Sequence, residues 1–217
     1  MIIAIDGGVA SGKSAVGRRV AERLGLTFID SGLMYRAITR LAKDRGIDAH
    51  DADSVSKLAS DTDIRIDGDR VWADGRELTP MVFDSDLADT LPVVSATPGV
   101  RAALVDKQRR TGEHGVVMAG RDIGTVVFPN ADHKFFLTAS LSEKVRRRAA
   151  QRQRRGESVD EEAMRKEVEM RDRVDSERAI APLKPADDAV IIDTDDLSVE
   201  DVVARILVEI EDTVGGE

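Results

Sequence analysis

The sequence contains no cysteine, which excludes disulfide bonds, thiolate metal ligands and cysteine nucleophiles. Only three histidines are present, so we do not expect a histidine-rich metal site. Aromatic residues make up 3% of the 217 positions, too few for the stacking platforms of single-strand nucleic-acid binders. The net charge of −9 argues against a general binder of nucleic acid or anionic membranes, although it permits a local basic cleft.

Long apolar runs are missing as well. No window approaches the roughly 18 apolar residues of a membrane span. The first residues lack the basic region and cleavage site of a signal peptide. We therefore expect a cytoplasmic protein with no membrane partner. Hydrophobic residues still make up 41% of the chain, enough to form a core in a single domain of this length.

Strand-like and helix-like segments alternate along most of the chain. Residues 2–6 form a short apolar run bounded by glycine, which is typical of a buried parallel strand, and residues 13–24 have helical periodicity. Further strand candidates are residues 27–29, 115–119, 133–138 and 189–192. This alternation predicts a parallel sheet covered by helices on both faces. Between residues 62 and 78, period-two apolar residues with Asp-Gly turns predict a small inserted meander.

Residues 7–14 fit the pattern G-x-x-x-x-G-K-[ST] and are called the phosphate loop below. Its glycines let successive backbone amides point at a phosphate, and the following helix adds its positive N-terminal end. Lys13 can reach the β- and γ-phosphates, while Ser14 offers a hydroxyl to Mg²⁺. We therefore predict that the chain binds a nucleoside triphosphate. The predicted ATP-binding residues are Gly7, Gly8, Val9, Ala10, Ser11, Gly12, Lys13, Ser14 and Ala15.

Arginines recur in three segments far apart in the sequence. Residues 30–36 and 120–129 each follow a predicted strand, and residues 171–183 lie in a charged stretch. Open α/β sheets bind ligands beyond the carboxyl ends of their strands, and phosphoryl transfer needs converging positive charge. Each arginine taken alone would more often be solvated surface, and the phosphate loop weakens that interpretation. No Asn-Lys-x-Asp motif is present, which argues against a GTPase.

With these segments the chain resembles the bacterial cytidylate kinases (CMP kinases), which are P-loop nucleoside monophosphate kinases. The likeness runs nearly end to end, and the run Gly-Arg-Asp-Ile-Gly-Thr-Val-Val-Phe-Pro at residues 120–129 is its most specific part. It implies an α/β, three-layer P-loop fold with a central parallel sheet, a small inserted β/α monophosphate-binding region and a helical lid. It also implies phosphorylation of CMP and dCMP by ATP with Mg²⁺, through direct in-line transfer, in a monomer.

The resemblance further implies a division of the chain into parts. The whole of residues 1–217 would be a single kinase domain. Its core would comprise about 1–30, 98–155 and 186–217, and the monophosphate-binding insert about 31–97. Residues of about 156–185 would form the lid and are called the lid segment below.

The same resemblance assigns roles to individual residues. The catalytic residues would be Lys13, Arg121, Arg171 and Arg178. Arg36 would join Arg121 and Arg178 on the acceptor phosphate. The sugar would be contacted by Arg171 and Asp175.

The cytosine base would be read by Ser95, Arg101 and Asp122, together with Ser31. Tyr35 would wall the pocket, with packing in the core as an equal alternative. Cytosine presents an amino donor and a ring-nitrogen acceptor, which a carboxylate and a guanidinium complement. Uracil would leave the same pair mismatched, at a cost of roughly 1–3 kcal/mol per unsatisfied group. We therefore predict activity on CMP and dCMP well above that on UMP.

Three positions depart from the family pattern. Gly8 stands where proline is usual and Ala10 where glycine is usual, so we expect a less preorganised loop and a negative φ at Ala10. Ala119 stands where an acidic residue is usual. An acidic residue there would help to hold the water molecules around Mg²⁺, which commonly keeps several of them. We expect Asp30 or Asp122 to hold these waters instead.

Residues 144–155 carry seven basic side chains and no acid, and three interpretations stay open. They could form a solvated helix face, contact ATP through Arg146, Arg147 or Arg148, or bind nucleic acid. Residues 156–178 are charge-rich with few large apolar residues, which favours a lid ordered only when substrate phosphates bind. Rival functions are a kinase for another small acceptor, a nucleotide-binding module without catalysis, and a nucleic-acid binder.

Overall fold

The computed structural model describes residues 1–154 and 156–214. Its central sheet contains five parallel strands within those residues, in the order β2-β6-β1-β7-β8. The strands are β1 (Ile2–Gly7), β2 (Thr27–Asp30), β6 (Val116–Gly120), β7 (His133–Thr138) and β8 (Val190–Asp193). Because β1 is central, the loop that follows it opens at the middle of the sheet's carboxyl edge.

Helices cover both faces of this sheet. On one face α1 (Lys13–Leu24) and α8 (Val199–Val214) share an apolar cluster with the sheet, including Val20 and Ile206. On the other face, α5 (Pro98–Arg110) contributes Val105 to a cluster with Met118 of β6. The prediction of a parallel sheet between two helical layers is confirmed. Within the described residues, no helix is long and apolar enough to cross a membrane.

The predicted meander is confirmed as a small antiparallel sheet. It consists of β3 (Ile64–Asp67), β4 (Arg70–Ala73) and β5 (Arg76–Glu77). Three helices lie in the same stretch of chain: α2 (Gly32–Asp44), α3 (Ala52–Asp61) and α4 (Thr90–Ala96). Their shared apolar core continues onto α5 through Val100 and Leu104. The insert therefore shares its core with a helix of the main layer, and its boundaries stay a prediction.

The lid segment contains a continuous helix, α7 (Glu161–Glu177), which packs on α6 (Leu141–Arg154). Asp160 caps it by accepting hydrogen bonds from the Glu162 and Ala163 amides. The contact with α6 is a small apolar cluster of Val145, Met164 and Val168. Met164 and Val168, four residues apart, share the helix face that packs on α6. The expectation that the lid segment becomes ordered only when substrate phosphates bind stays a prediction.

Candidate active site

The phosphate loop connects β1 to α1, as the motif predicts, and two of its residues have left-handed backbone. Gly12 has φ of 91°, which glycine adopts freely. Ala10 has φ of 55°, so the expectation of a negative φ is wrong. The tight curl of the loop imposes this conformation, which costs a non-glycine residue roughly 1–2 kcal/mol.

The two polar side chains at the end of the loop have partners within the protein. Lys13 is 8% exposed and donates a hydrogen bond from Nζ to the Gly8 carbonyl at 2.8 Å. Burial, followed by the positive charge of Arg121, lowers the pKa of Lys13 to about 7. Ser14 donates to Asp30 Oδ2 at 2.7 Å, so a hydroxyl and a carboxylate stand together beside the loop. Such oxygen ligands suit Mg²⁺.

A cavity of about 580 Å³ extends from the phosphate loop to the region around Asp122. Of the predicted ATP-binding residues, Val9, Ala10, Lys13 and Ser14 line it. Gly7, Gly8, Ser11 and Gly12 belong to the loop without lining the cavity, and Ala15 is exposed on α1 instead. All ten predicted acceptor-side residues line it: Ser31, Tyr35, Arg36, Ser95, Arg101, Arg121, Asp122, Arg171, Asp175 and Arg178.

Asp122 and Arg101 form a buried ion pair in the lining of the cavity. Asp122 follows β6 and Arg101 comes from the first turns of α5, and their side chains are 6% and 3% exposed. Arg101 also donates to the Ser95 carbonyl at 3.0 Å, and its guanidinium carbon lies 5.2 Å from the centre of the Tyr35 ring. Tyr35 therefore packs in the core and lines the cavity at once, and its contact with a substrate stays a prediction.

The end of α7 brings further charges to the same place. Asp175 forms an ion pair with Arg121 and lies 3.7 Å from Arg178. Arg178 is also 3.6 Å from Asp122. The hydroxyl protons of the two serines assigned to the base are already used within the protein. Ser31 donates to the Ala119 carbonyl at 3.0 Å, and Ser95 donates to the Pro92 carbonyl at 3.1 Å.

Arg36 and Arg171 complete the positive lining. Burial, followed by the repulsion of neighbouring guanidiniums, lowers the pKa of each to about 10: Arg171 acts on Arg36, and Arg121 acts on Arg171. Like charges held together in a partly buried site repel one another. An oxyanion that enters relieves this repulsion, so the arrangement favours phosphate binding.

The basic run at residues 144–154 divides among different contacts. Arg146 is exposed and pairs with Glu143, as a solvated face predicts. Arg147 donates to the Thr194 carbonyl at 2.7 Å and lies beside the phosphate loop, 3.5 Å from the Ala10 carbonyl. Arg148 lines the cavity, and Lys144 pairs with Asp172 of α7 at 2.6 Å. Arg155, counted in the predicted run, lies outside the described residues.

Two acidic residues that the sequence analysis left without a role contact the site. Asp172 accepts a hydrogen bond from the Val9 amide at 2.9 Å. Asp6, near the end of β1, accepts from the amides of Ile123 and Gly124. Their only sequence signals are proximity to motifs: Asp172 follows Arg171, and Asp6 precedes the phosphate loop.

The phosphate loop at the centre of a parallel sheet, facing a cavity lined by arginines, defines a P-loop protein of the nucleotide-kinase type. The sequence profile described as Cytidylate kinase matches residues 3–212. The chain belongs to the cytidylate kinase family.

Individual relatives agree with this. The chain is 44% identical over 219 residues to a protein named Cytidylate kinase from Anoxybacillus flavithermus (strain DSM 21510 / WK1), covering 99% of this chain and 97% of that one. It is 47% identical over 216 residues to a Bifunctional pantoate ligase/cytidylate kinase from Synechococcus sp. (strain JA-3-3Ab), covering 94% of this chain. The match spans only 40% of that longer protein.

A solved structure shares the fold at low sequence identity. It is an uncharacterized protein from Eubacterium ventriosum ATCC 27560, with a TM-score of 0.52 and 14% identity. The match covers 97% of this chain and 98% of that one. This likeness concerns the fold alone.

Proposed function

We propose that this chain transfers the γ-phosphoryl group of ATP to CMP and dCMP, giving ADP and CDP or dCDP. The observation that carries the proposal is that one cavity is lined both by residues of the phosphate loop and by the buried Asp122–Arg101 pair. The family membership supports both substrates. Six further arginines in the cavity lining supply charge for the phosphates: Arg36, Arg121, Arg148, Arg152, Arg171 and Arg178.

The donor end would hold ATP by its phosphates. Backbone amides of the loop and the N-terminus of α1 would face the phosphate oxygens. Lys13 now donates to the Gly8 carbonyl, and a bound phosphate would offer it a stronger, charged acceptor. ATP binding would therefore keep Lys13 protonated.

Mg²⁺ fits beside Ser14 and Asp30, whose side chains are already joined at 2.7 Å. It would neutralise charge on the donor phosphates. Asp122 is a poorer candidate for this role, because the positive charges of Arg101 and Arg178 beside it would repel a cation. Asp30 is therefore the carboxylate that we expect to replace the acidic residue missing at Ala119.

The acceptor end would read the base through Asp122 and Arg101. The carboxylate accepts from the cytosine amino group, and the guanidinium donates to the ring nitrogen or carbonyl. Tyr35 closes one side of this pocket. Uracil would place a carbonyl against Asp122, so the site discriminates by leaving a buried group without a partner.

In the transfer step, an oxygen of the acceptor phosphate attacks the γ-phosphorus as the bond from that phosphorus to the ADP oxygen breaks. The acceptor is already an oxyanion, so no general base is needed. Lys13, Arg121 and Arg171 would stabilise the charge that spreads over the transferred group. Closure of the lid segment over the cavity would exclude water and so limit ATP hydrolysis.

The test is a panel of acceptors with ATP and Mg²⁺, followed by ADP release: CMP, dCMP, UMP, AMP and buffer alone. We expect CMP and dCMP to exceed UMP by about 10-fold or more in kcat/KM, the equivalent of one mismatched buried group. Lys13→Ala should abolish turnover with every acceptor. Asp122→Asn should selectively lower kcat/KM for CMP. Equal turnover of CMP and UMP would contradict the base assignment. ATP binding without turnover of any acceptor would indicate a nucleotide-binding module.

A further inference from the structure

Asp6 lies near the end of β1, immediately before the phosphate loop, and is 4% exposed. Its two carboxylate oxygens accept hydrogen bonds from two consecutive backbone amides. Ile123 N donates to Oδ1 and Gly124 N donates to Oδ2, each at 2.8 Å. Both amides are more than 110 residues away in sequence, so this contact joins the donor loop to the segment that carries the acceptor site.

The two amides open a short helical turn at Ile123–Val127. The first amides of any helical turn lack partners within it and need an acceptor from elsewhere. Asp122 stands in the N-cap position, where an aspartate usually accepts from the second or third amide of the helix. Here the Asp122 side chain makes no such capping bond. It forms the buried ion pair with Arg101 instead.

We propose that Asp6 is a positioning residue, which caps the turn in place of Asp122 and so leaves the Asp122 carboxylate free to read the acceptor base. The inference rests on the function proposed above, which it extends by one residue. Asp6 does not line the cavity. It acts by fixing the backbone immediately after Asp122, and thereby the direction in which the Asp122 side chain leaves the chain.

The chemistry requires a carboxylate at position 6. Two parallel N–H donors need two acceptors, which an ionised aspartate supplies. Asparagine supplies one acceptor and would turn its own NH₂ group toward the second amide. Burial disfavours the ionised carboxylate, whereas the two amides favour it. The effect of burial is larger, so the pKa of Asp6 is raised to about 6. Of the neighbouring charges, Asp122 also raises this pKa and Lys13 lowers it.

The turn packs directly against this carboxylate. A Cβ at Gly124 would make an ordinary contact with Asp6 Oδ2 at 3.5 Å and a closer one with the Lys134 side chain at 3.3 Å.

The test compares Asp6→Asn with the wild-type protein near pH 7.5. We expect KM for CMP to rise about 10-fold or more and the preference for CMP over UMP to fall by a similar factor. KM for ATP should change less than about threefold, because the loop contacts of Lys13 and Ser14 do not involve Asp6. Asp132→Asn is the matched control, since its exposed carboxylate accepts from the Ile2 amide at 2.6 Å at the other end of β1.

The outcomes separate the possibilities. An Asp6→Asn protein with unchanged KM for CMP and unchanged CMP preference overturns the inference, as does an equal rise in KM for ATP and CMP, which indicates general loosening. If the variant does not fold, amide hydrogen exchange in the wild-type protein tests the same contact. We expect the Ile123 and Gly124 amides to be as protected as those of β1. Rapid exchange at these two amides overturns the inference. Absence of CMP turnover in the wild-type protein counts against the proposed function, whereas wild-type turnover with an unaffected variant counts against Asp6 alone.

Discussion

The carboxylate of Asp172 in α7 is hydrogen-bonded to the Val9 amide of the phosphate loop at 2.9 Å, while Lys144 binds its other oxygen at 2.6 Å. This contact attaches the lid segment to the donor end of the cavity. It depends on Gly8, because a Cβ there would lie 2.7 Å from Asp172 Oδ1. Gly8, the residue that departs from the expected family pattern, thus leaves room for this contact.

Gly8→Ala should release this attachment. A hydrogen bond to a charged group contributes roughly 1.5 kcal/mol, so we expect tryptic cleavage within the lid segment to become about 10-fold faster. Asp172→Ala should have the same effect, and the double variant should be no worse than either single one. Limited proteolysis followed by mass spectrometry measures this. Additive effects of the two substitutions would contradict the proposed dependence on Gly8.

Ala10→Gly should stabilise the protein. The φ of 55° at Ala10 costs roughly 1–2 kcal/mol, and the greater freedom of glycine in the unfolded chain offsets part of the gain. We expect a net increase of about 0.5–1 kcal/mol in the free energy of unfolding, measured by urea titration. Ala15→Gly is the control, because Ala15 is exposed on α1 and should lose about 0.5–1 kcal/mol. A loss of stability in Ala10→Gly would refute the assigned strain.

Ala119→Asp should not improve activity at limiting Mg²⁺. Ala119 is fully buried in an apolar cluster, and Asp30 already stands beside Ser14. We expect a change of less than about twofold in the rate at low Mg²⁺, with a loss of roughly 2 kcal/mol in stability. Asp30→Asn should instead raise the Mg²⁺ concentration needed for half-maximal activity about 10-fold. A many-fold gain from Ala119→Asp would show that no existing carboxylate compensates.

Glu143 should stabilise α6 in a pH-dependent way. Hydrogen bonds from Arg146 and Arg147 lower the pKa of Glu143 to about 2 in the folded protein. Its ionised form is therefore favoured by folding, so the contribution is complete above about pH 4.5 and is lost as the pH falls toward 2. Glu143→Gln should cost about 1 kcal/mol at pH 6 and progressively less at pH 4 and pH 3, measured by urea unfolding.

Glu162→Gln provides the comparison for this experiment. Glu162 is highly exposed on α7 and pairs with Lys166 at 2.7 Å. Exposed pairs of this kind contribute little. We therefore expect a difference near zero at all three pH values. A cost for Glu143→Gln that does not change with pH would exclude the ionised carboxylate as its cause.

The elements built from neighbouring residues were predictable. The strand, loop and helix around Lys13 appear where the motif predicts them, because the motif is continuous in sequence and each part carries its own local signal. The alternation of strands and helices likewise predicted the layers of the sheet. The resemblance to a family supplied the ten acceptor-side residues, all of which line the cavity, and their individual roles stay predictions.

The contacts that make the site one unit depend on tertiary structure. Arg121 and Asp175 are 54 residues apart, and Asp6 and Ile123 are 117 apart. No periodicity relates such positions, because their approach is set by which strands pair and where each loop leaves the sheet. The left-handed φ of Ala10 is similar, since alanine has no preference for it and the closed loop imposes it. The sequence by itself determined that a phosphate-binding strand–loop–helix would form. Only the fold decided which distant carboxylates and guanidiniums would meet around it.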